Sequence, residues 1–363
     1  MGKAEKEQLN RALTAHLNSI HETLQMLDQT PSSMEKVTWP HIIQLGDQVS
    51  KQATIAGMLW NGESPDAKQV EETMNSFFNV LQGFLLLSHG STVGAGPTLS
   101  STIHESIKHV VDCSFRLMKE HVSLYAGSRN KEKKLSIPQF VGAVWEACSA
   151  LKKVPATNVI AIGRAMTQVA VSVKDVLREM NELKPASSDL ENGTSDDTPS
   201  KAESNPEDDD LSDDDLGSDL SPEEMKVAQL AQGVVSETLA VIKELIRTIT
   251  GMLKLETPDD NGKFVDSLEK LLKKCQGVGA EIDEIGACLY PPQEIDAIKL
   301  ALEKISSSIN GIQQEVEGFQ TSAGPFVEAC GGLRTVLKQM ESELDCFSTA
   351  ELTSKMQDVA VID

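Results

Sequence analysis

Aromatic side chains are scarce in this chain of 363 residues: Phe, Trp and Tyr make up 4% of it, whereas apolar residues make up 40%. β-Strands favour aromatic and β-branched side chains, so the shortage disfavours an all-β fold. The apolar fraction is typical of globular proteins, and the length allows two or three domains with their own cores. We therefore expect helices packed through Leu, Ile, Val, Met and Ala.

Motifs for catalysis and for metal binding are also missing. All seven histidines lie in the first 121 residues, so the C-terminal part has no imidazole. His109 and Cys113 are four residues apart and can share a helix face, but no second pair of ligands accompanies them. Gly94 and Gly96 lack the third glycine and the preceding strand of a dinucleotide-binding loop. We expect no enzyme, no cofactor and no metal site.

The six cysteines are scattered and form no CxxC pair. Most fall at apolar positions of helical patterns, which is typical of small buried side chains in a reducing, intracellular compartment. No segment approaches the roughly 18 consecutive apolar residues that a membrane-spanning helix needs. We therefore expect no membrane contact.

Negative charge is concentrated in the middle of the chain. The net charge of −22 divides into +1 for residues 1–186, −14 for 187–224 and −9 for 225–363. Nucleic-acid affinity comes mainly from Lys and Arg that neutralise phosphates, so direct nucleic-acid binding by the acidic regions is disfavoured. Residues 186–220 contain too few apolar side chains to offset the entropy of ordering. They predict a disordered acidic linker.

Apolar residues recur at steps of three and four on both sides of this linker, the spacing of amphipathic helices. The pattern predicts an N-terminal bundle of five or six helices over 1–185 and a C-terminal four-helix bundle over 221–350, followed by a flexible tail over 351–363. The predicted fold class is all-α: two antiparallel helical bundles joined by a disordered acidic linker.

The C-terminal bundle carries specific packing signals. Ser221, Pro222 and Glu224 have the order of an N-cap, a first helical proline and a capping-box glutamate. The helix that follows is apolar on more than one side, so we expect it at the centre of its bundle. The stripe from Ile295 to Phe319 has zipper-like spacing, which we interpret as an internal seam. Gly277 and Gly279 should permit close helix packing.

Three residues are candidate phosphorylation sites. Ser212 precedes three aspartates, the pattern that acid-directed kinases prefer, and Thr198 and Ser221 each precede a proline. For Ser221 the N-cap role comes first. A phosphate there would lie at the positive end of the helix dipole, so the two roles are compatible.

Three short stretches resemble one known family: WNGESPDA (60–67), VWEAC (144–148) and LYPPQ (289–293). In this order around an acidic middle, they are similar to the cyclin-D-binding protein family (GCIP, Grap-and-cyclin-D-interacting proteins), over essentially the whole chain. The resemblance implies two helical bundles without catalytic activity. It also implies binding to D-type cyclins and helix–loop–helix regulators, negative control of cell-cycle entry and transcription, and a location in cytoplasm and nucleus.

We expect the residues of these motifs to be mainly structural. Pro291 and Pro292 should end one helix and pre-set the start of the next. Tyr290 should pack at that corner with its hydroxyl toward the surface. Trp145 is expected in the core.

Two other classes of function stay open. An acidic chaperone that binds histones or other basic proteins would act through residues 187–220. Deleting that tract would then abolish histone binding and spare cyclin binding. A carrier of an apolar ligand would need an internal cavity in a helical bundle.

Overall fold

The computed structural model describes residues 3–28, 35–60, 65–126, 136–185, 219–252, 261–319 and 323–360. These residues form ten α-helices, two 3-10 turns and one pair of two-residue strands. The predicted all-α class is confirmed. None of the helices in these ranges has an apolar stretch long enough to cross a membrane.

Six helices precede the acidic tract. They are α1 (Lys3–Gln25), α2 (Trp39–Met58), α3 (Ala67–Ser91), α4 (Pro97–Ala126), α5 (Ser136–Ala150) and α6 (Asn158–Met180). The 3-10 turns Met26–Asp28 and Leu151–Lys153 directly follow α1 and α5. Strand β1 (Lys184–Pro185) comes after α6.

Four helices follow the tract, after strand β2 (Asp219–Leu220). They are α7 (Pro222–Gly251), α8 (Asn261–Cys288), α9 (Ile295–Gly318) and α10 (Gly324–Ala360). The tail predicted to be flexible from residue 351 is helical as far as Ala360. The helix continues because no Gly or Pro interrupts the sequence after Gly332.

The described residues group into two compact units. The first comprises those of Met1–Ile162 and Leu253–Glu269, and the second those of Gly163–Met252 and Lys270–Asp363. These limits differ from the predicted domains 1–185 and 221–350, because most of α6 belongs to the second unit.

Helices α1 to α5 build the first unit. Helix α2 packs against α3 and α5, and α4 packs against α1, α3 and α5. The largest fully buried side chains of this core include Phe77, Phe78 and Phe84 on α3. Several of the chain's few aromatic side chains thus fill the core from one central helix.

Glycines bring α6 and α8 into close contact within the second unit. A Cβ atom on Gly279 would lie 2.7 Å from Cγ1 of Val169, and one on Gly286 would lie 2.9 Å from Cγ1 of Val176. Both distances are shorter than a Cβ atom tolerates, so each valine occupies the space that glycine leaves open. The close packing predicted for Gly279 is confirmed. At Gly277 a Cβ atom would meet nothing within 4 Å.

Helix α7 is buried on several sides, as predicted. The predicted cap at its start is confirmed. The Ser221 hydroxyl accepts a hydrogen bond from the Glu224 backbone N–H at 3.2 Å, and the Glu224 carboxylate accepts one from the Ser221 N–H at 2.9 Å. The α9 stripe is an internal seam, also as predicted, since six of its side chains are buried: Ile298, Leu302, Ile305, Ile309, Ile312 and Val316.

The acidic tract connects α6 to α7, and both of these helices contribute to the second unit. Strands β1 and β2 pair in parallel, with Lys184 opposite Asp219 and Pro185 opposite Leu220. Leu220 is fully buried, so the last two residues of the predicted linker 186–220 belong to the folded unit. Residues 186–218, with Thr198 and Ser212, lie outside the described residues.

Gly277 and Gly279 provide a test of the close packing between α6 and α8. Gly279→Ala should destabilise the protein by about 1 kcal/mol, because overpacking against the stiff Val169 outweighs the gain in helix propensity. Gly277→Ala should stabilise it by about 0.5–1 kcal/mol, because only the propensity changes. Urea unfolding of the full chain measures both. Equal stabilisation by the two substitutions would contradict the contact.

Candidate interaction surface

Trp145 of the VWEAC stretch lies on the surface of the first unit, on α5 and beside α2. It is 49% exposed. Its indole N–H donates to the backbone oxygen of Ser50 at 3.2 Å and to the hydroxyl oxygen of Thr54 at 3.1 Å. The prediction that Trp145 belongs to the core is wrong.

The helical period explains why this tryptophan is exposed. Val144, Ala147 and Cys148 are buried and define the inner face of α5. Trp145 follows Val144 by about 100° around the helix axis, at the edge of that face. The sequence alone could not decide between an edge position and a core position, because both fit the helical spacing.

The seam between α2 and α5 is too narrow for an indole ring. A Cβ atom on Gly57 would lie 2.8 Å from Cγ2 of Val141, and one on Gly46 would lie 2.6 Å from Cδ1 of Leu151. The two helices therefore run antiparallel in close contact. The Trp145 ring lies over this seam, and its indole N–H is hydrogen-bonded to α2.

Two further apolar side chains are exposed on α2, the helix that anchors Trp145. Ile55 is 53% exposed and Met58 is 63% exposed. Met58 follows Thr54 by four residues and Ile55 by three, and residues three or four apart are neighbours on a helix surface. We call Ile55, Met58 and Trp145 the Trp145 surface.

Charged residues border this surface. Asp47 and Lys152 form an ion pair between α2 and the turn after α5, at 3.8 Å between Oδ1 and Nζ. Lys51 and Glu146 are exposed on the same two helices. An apolar centre rich in Trp and Met with a polar rim is the arrangement of protein–protein interfaces.

The LYPPQ stretch forms the corner between α8 and α9. Helix α8 ends at Cys288 and α9 begins at Ile295, so Pro291 and Pro292 separate the two helices as predicted. Tyr290 is 52% exposed, which agrees with the predicted corner position. It lines a small cleft together with Val176 and Met180 of α6.

Gln293 has a structural role that sequence reasoning missed. Its side-chain NH₂ group donates to the backbone oxygens of Glu224 at 3.0 Å and Leu289 at 3.1 Å. It thereby ties the α8–α9 corner to the first turn of α7. A single glutamine in a turn carries no sequence signal for such a bond.

The WNGESPDA stretch is anchored at both of its described ends. The Trp60 indole N–H donates to Nδ1 of the buried His121 at 2.9 Å. Asp66 caps α3, because its carboxylate accepts from the Gln69 N–H at 2.7 Å and the Gln69 side chain accepts from the Asp66 N–H at 3.0 Å. Both anchors are structural.

His121 is held neutral by its surroundings. Burial lowers its pKa from 6.5 to about 4. Since Nδ1 accepts the Trp60 hydrogen bond, the ring proton lies on Nε2, which has no hydrogen-bond partner among the described residues. Protonation would place a second proton on Nδ1 and abolish the bond to Trp60.

The cysteines show no sign of an activated thiolate. Five of the six are buried, as expected, and Cys346 is exposed. Burial raises the pKa of Cys275 to about 12 and that of Cys148 and Cys330 to about 11, which disfavours the nucleophilic thiolate. In the described ranges no three His, Cys, Asp or Glu side chains form a group able to hold a metal ion.

Comparison with protein families matches both halves of the chain. The model described as "Grap2 and cyclin-D-interacting, N-terminal" matches residues 41–186, and its C-terminal counterpart matches residues 206–314. Together they cover more than half of the chain. The chain belongs to this family.

A curated relative of the family supports the assignment. The Cyclin-D1-binding protein 1 homolog of Xenopus laevis is 26% identical over 218 residues, which are 60% of this chain and 60% of that protein. The resemblance inferred from the three motifs is thus confirmed. The family's N-terminal match contains α5 and most of α2, and hence the whole Trp145 surface.

The buried Trp60–His121 pair predicts a pH dependence of stability. Below pH 6.5 the unfolded chain binds a proton at His121 that the folded chain rejects, so stability should fall between pH 6.5 and about 4. The full effect is about 3 kcal/mol. His121→Gln keeps an acceptor for Trp60 but no titrating ring, and should flatten this part of the urea-unfolding profile. An unchanged slope would contradict the assignment.

Proposed function

We propose that this chain is a non-enzymatic interaction protein that binds a D-type cyclin through the Trp145 surface. The proposal is supported by the membership of a cyclin-D-interacting family and by the name of the Xenopus relative. The observation that carries the choice of surface is the half-exposed indole of Trp145, which is fixed on α2 by two hydrogen bonds.

The pre-fixed indole suits a binding anchor. Immobilising a side chain on association costs free energy, and the bonds to Ser50 and Thr54 meet part of that cost in the free protein. Tryptophan is also enriched among residues that dominate binding energy. Met58, with its flexible and polarisable side chain, can adapt to a partner surface beside it.

Binding to helix–loop–helix regulators is a further part of the proposal and rests on the family resemblance. The apolar stripe of α9 is already buried inside the second unit. A partner helix would therefore contact exposed side chains rather than exchange with this stripe. Negative control of cell-cycle entry and transcription, and a location in cytoplasm and nucleus, complete the proposed role.

The acidic tract supports a second candidate, a chaperone-like protein for histones or other basic proteins. Its support is the net charge of −14 over residues 187–224. A basic partner would be attracted by this charge, and the attraction would weaken with salt. This candidate locates binding in the tract and not on the folded units.

Trp145→Ala should weaken binding to a purified D-type cyclin by about 30-fold, the effect of removing an interface anchor worth about 2 kcal/mol. Tyr290→Ala is the matched control, because Tyr290 is an exposed aromatic residue of similar accessibility, 52% against 49%. It should leave the affinity unchanged. Isothermal titration calorimetry measures both, and circular dichroism verifies the fold of each variant.

Replacing residues 187–218 with an uncharged Gly/Ser linker of the same length separates the two candidates. The replaced segment ends before β2 and keeps the connection between the parallel strands β1 and β2, so the buried Leu220 stays in place. Under the cyclin proposal, cyclin affinity stays the same. Loss of cyclin binding on replacement of the tract, or full affinity in Trp145→Ala, would overturn the assignment to the Trp145 surface.

A further inference from the structure

The first unit contains a cavity of about 370 Å³. Three segments form its walls: residues 36–40, residues 91–95 and residues 155–160. Its apolar lining includes Val37, Trp39, Val93, Leu99, Ile103 and Ile160. The volume lies in the range of small-molecule sites, which are mostly apolar with a few polar groups.

We propose that this cavity binds a small amphipathic acid, with a compact apolar body inside and one carboxylate at the mouth. The proposal is independent of cyclin binding, since the cavity and the Trp145 surface share no residue.

Polar groups in the cavity wall hold the wall itself together. The side-chain oxygen of Asn158 accepts from the Gly96 N–H at 2.7 Å, and its NH₂ group donates to the Gly94 oxygen at 2.9 Å. These bonds fix the turn between α3 and α4, where Gly94 has a positive φ of 75°. Asn158 is buried and holds one wall against another, so it keeps the cavity open.

Two other polar side chains of the lining already donate to backbone oxygens. The Trp39 indole N–H donates to the Leu151 oxygen at 2.9 Å, and the Ser91 hydroxyl donates to the Ser88 oxygen at 2.7 Å. A polar group brought next to these side chains would lose its water without gaining a partner from them. The part of a ligand that enters the cavity must therefore be apolar.

Hydrogen bonds that involve residues outside the lining brace the walls. The Glu269 carboxylate accepts from the Thr98 N–H at 2.9 Å and from the Thr98 hydroxyl at 2.7 Å, at the start of α4. The Val37 N–H donates to the Gly90 oxygen at 3.1 Å. Walls held in this way are formed before a ligand arrives, which reduces the cost of binding.

The mouth of the cavity offers the polar groups that remain. Lys36 and Thr38 are exposed, and Thr38 occupies the N-cap position of α2 without a side-chain cap hydrogen bond. Among the described residues no carboxylate pairs with Lys36. An ammonium and a hydroxyl at the rim of an apolar cavity match a ligand with one carboxylate head.

Octanoate is a suitable probe for titration of the full chain. The ¹⁵N-labelled protein has three tryptophan indole signals, and only that of Trp39, which lines the cavity, should shift with saturation at one site. The signals of Trp60 and Trp145 should stay in place and serve as internal references. Octanol and octylammonium, with the same chain and a neutral or positive head, test the contribution of the carboxylate.

Two variants locate the site. Ala156→Phe adds a ring at an exposed lining residue and should abolish octanoate binding without disturbing the core. Lys36→Gln should weaken the affinity for octanoate about three- to fivefold, as expected for an exposed charge pair. It should leave the affinity for octanol unchanged. Lys108→Gln, on the exposed face of α4, is the matched control. Non-saturating shifts, full affinity in Ala156→Phe, or equal affinity for octanoate and octylammonium would overturn the proposal.

Discussion

Close contact between helices at glycine positions is the constraint on which the rest of this structure depends. A chain with few aromatic residues fills its cores with aliphatic side chains, and these reach native packing density only if the helices approach closely. In the second unit Val169 fills the space opposite Gly279, which binds α6 to α8. In the first unit Val141 fills the space opposite Gly57, which binds α5 to α2.

The same constraint determines what the protein exposes. Because α2 and α5 are in close contact, the Trp145 ring has no place between them and lies over the seam, where Ser50 and Thr54 bind its N–H. The apolar stripe of α9, by contrast, is buried inside the second unit. Among the described residues, the Trp145 surface therefore offers a partner an aromatic anchor on a rigid helix pair rather than an open zipper.

Much of the fold follows from the sequence because helical periodicity and capping are local. The cap at Ser221 and the internal stripe of α9 were predictable from spacing alone. The assignment of α6 to the second unit was not predictable, because it depends on which glycine faces a neighbouring helix. Gly277 and Gly279 look equivalent in the sequence, yet only Gly279 meets Val169. The same holds for the candidate site. The sequence contains the motif with Trp145, but the exposure of the Trp145 side chain depends on the distance between α2 and α5.

Hydroxyl-radical footprinting of the unmodified chain measures whether the Trp145 surface contacts a D-type cyclin, as proposed. Met58 and Trp145 are exposed and oxidise readily, and Met26 and Tyr290, 47% and 52% exposed, serve as references. On addition of a saturating D-type cyclin, Met58 and Trp145 should oxidise more slowly, whereas oxidation of the two references should stay unchanged. Unchanged oxidation of Met58 and Trp145 in a cyclin complex would contradict the proposed contact.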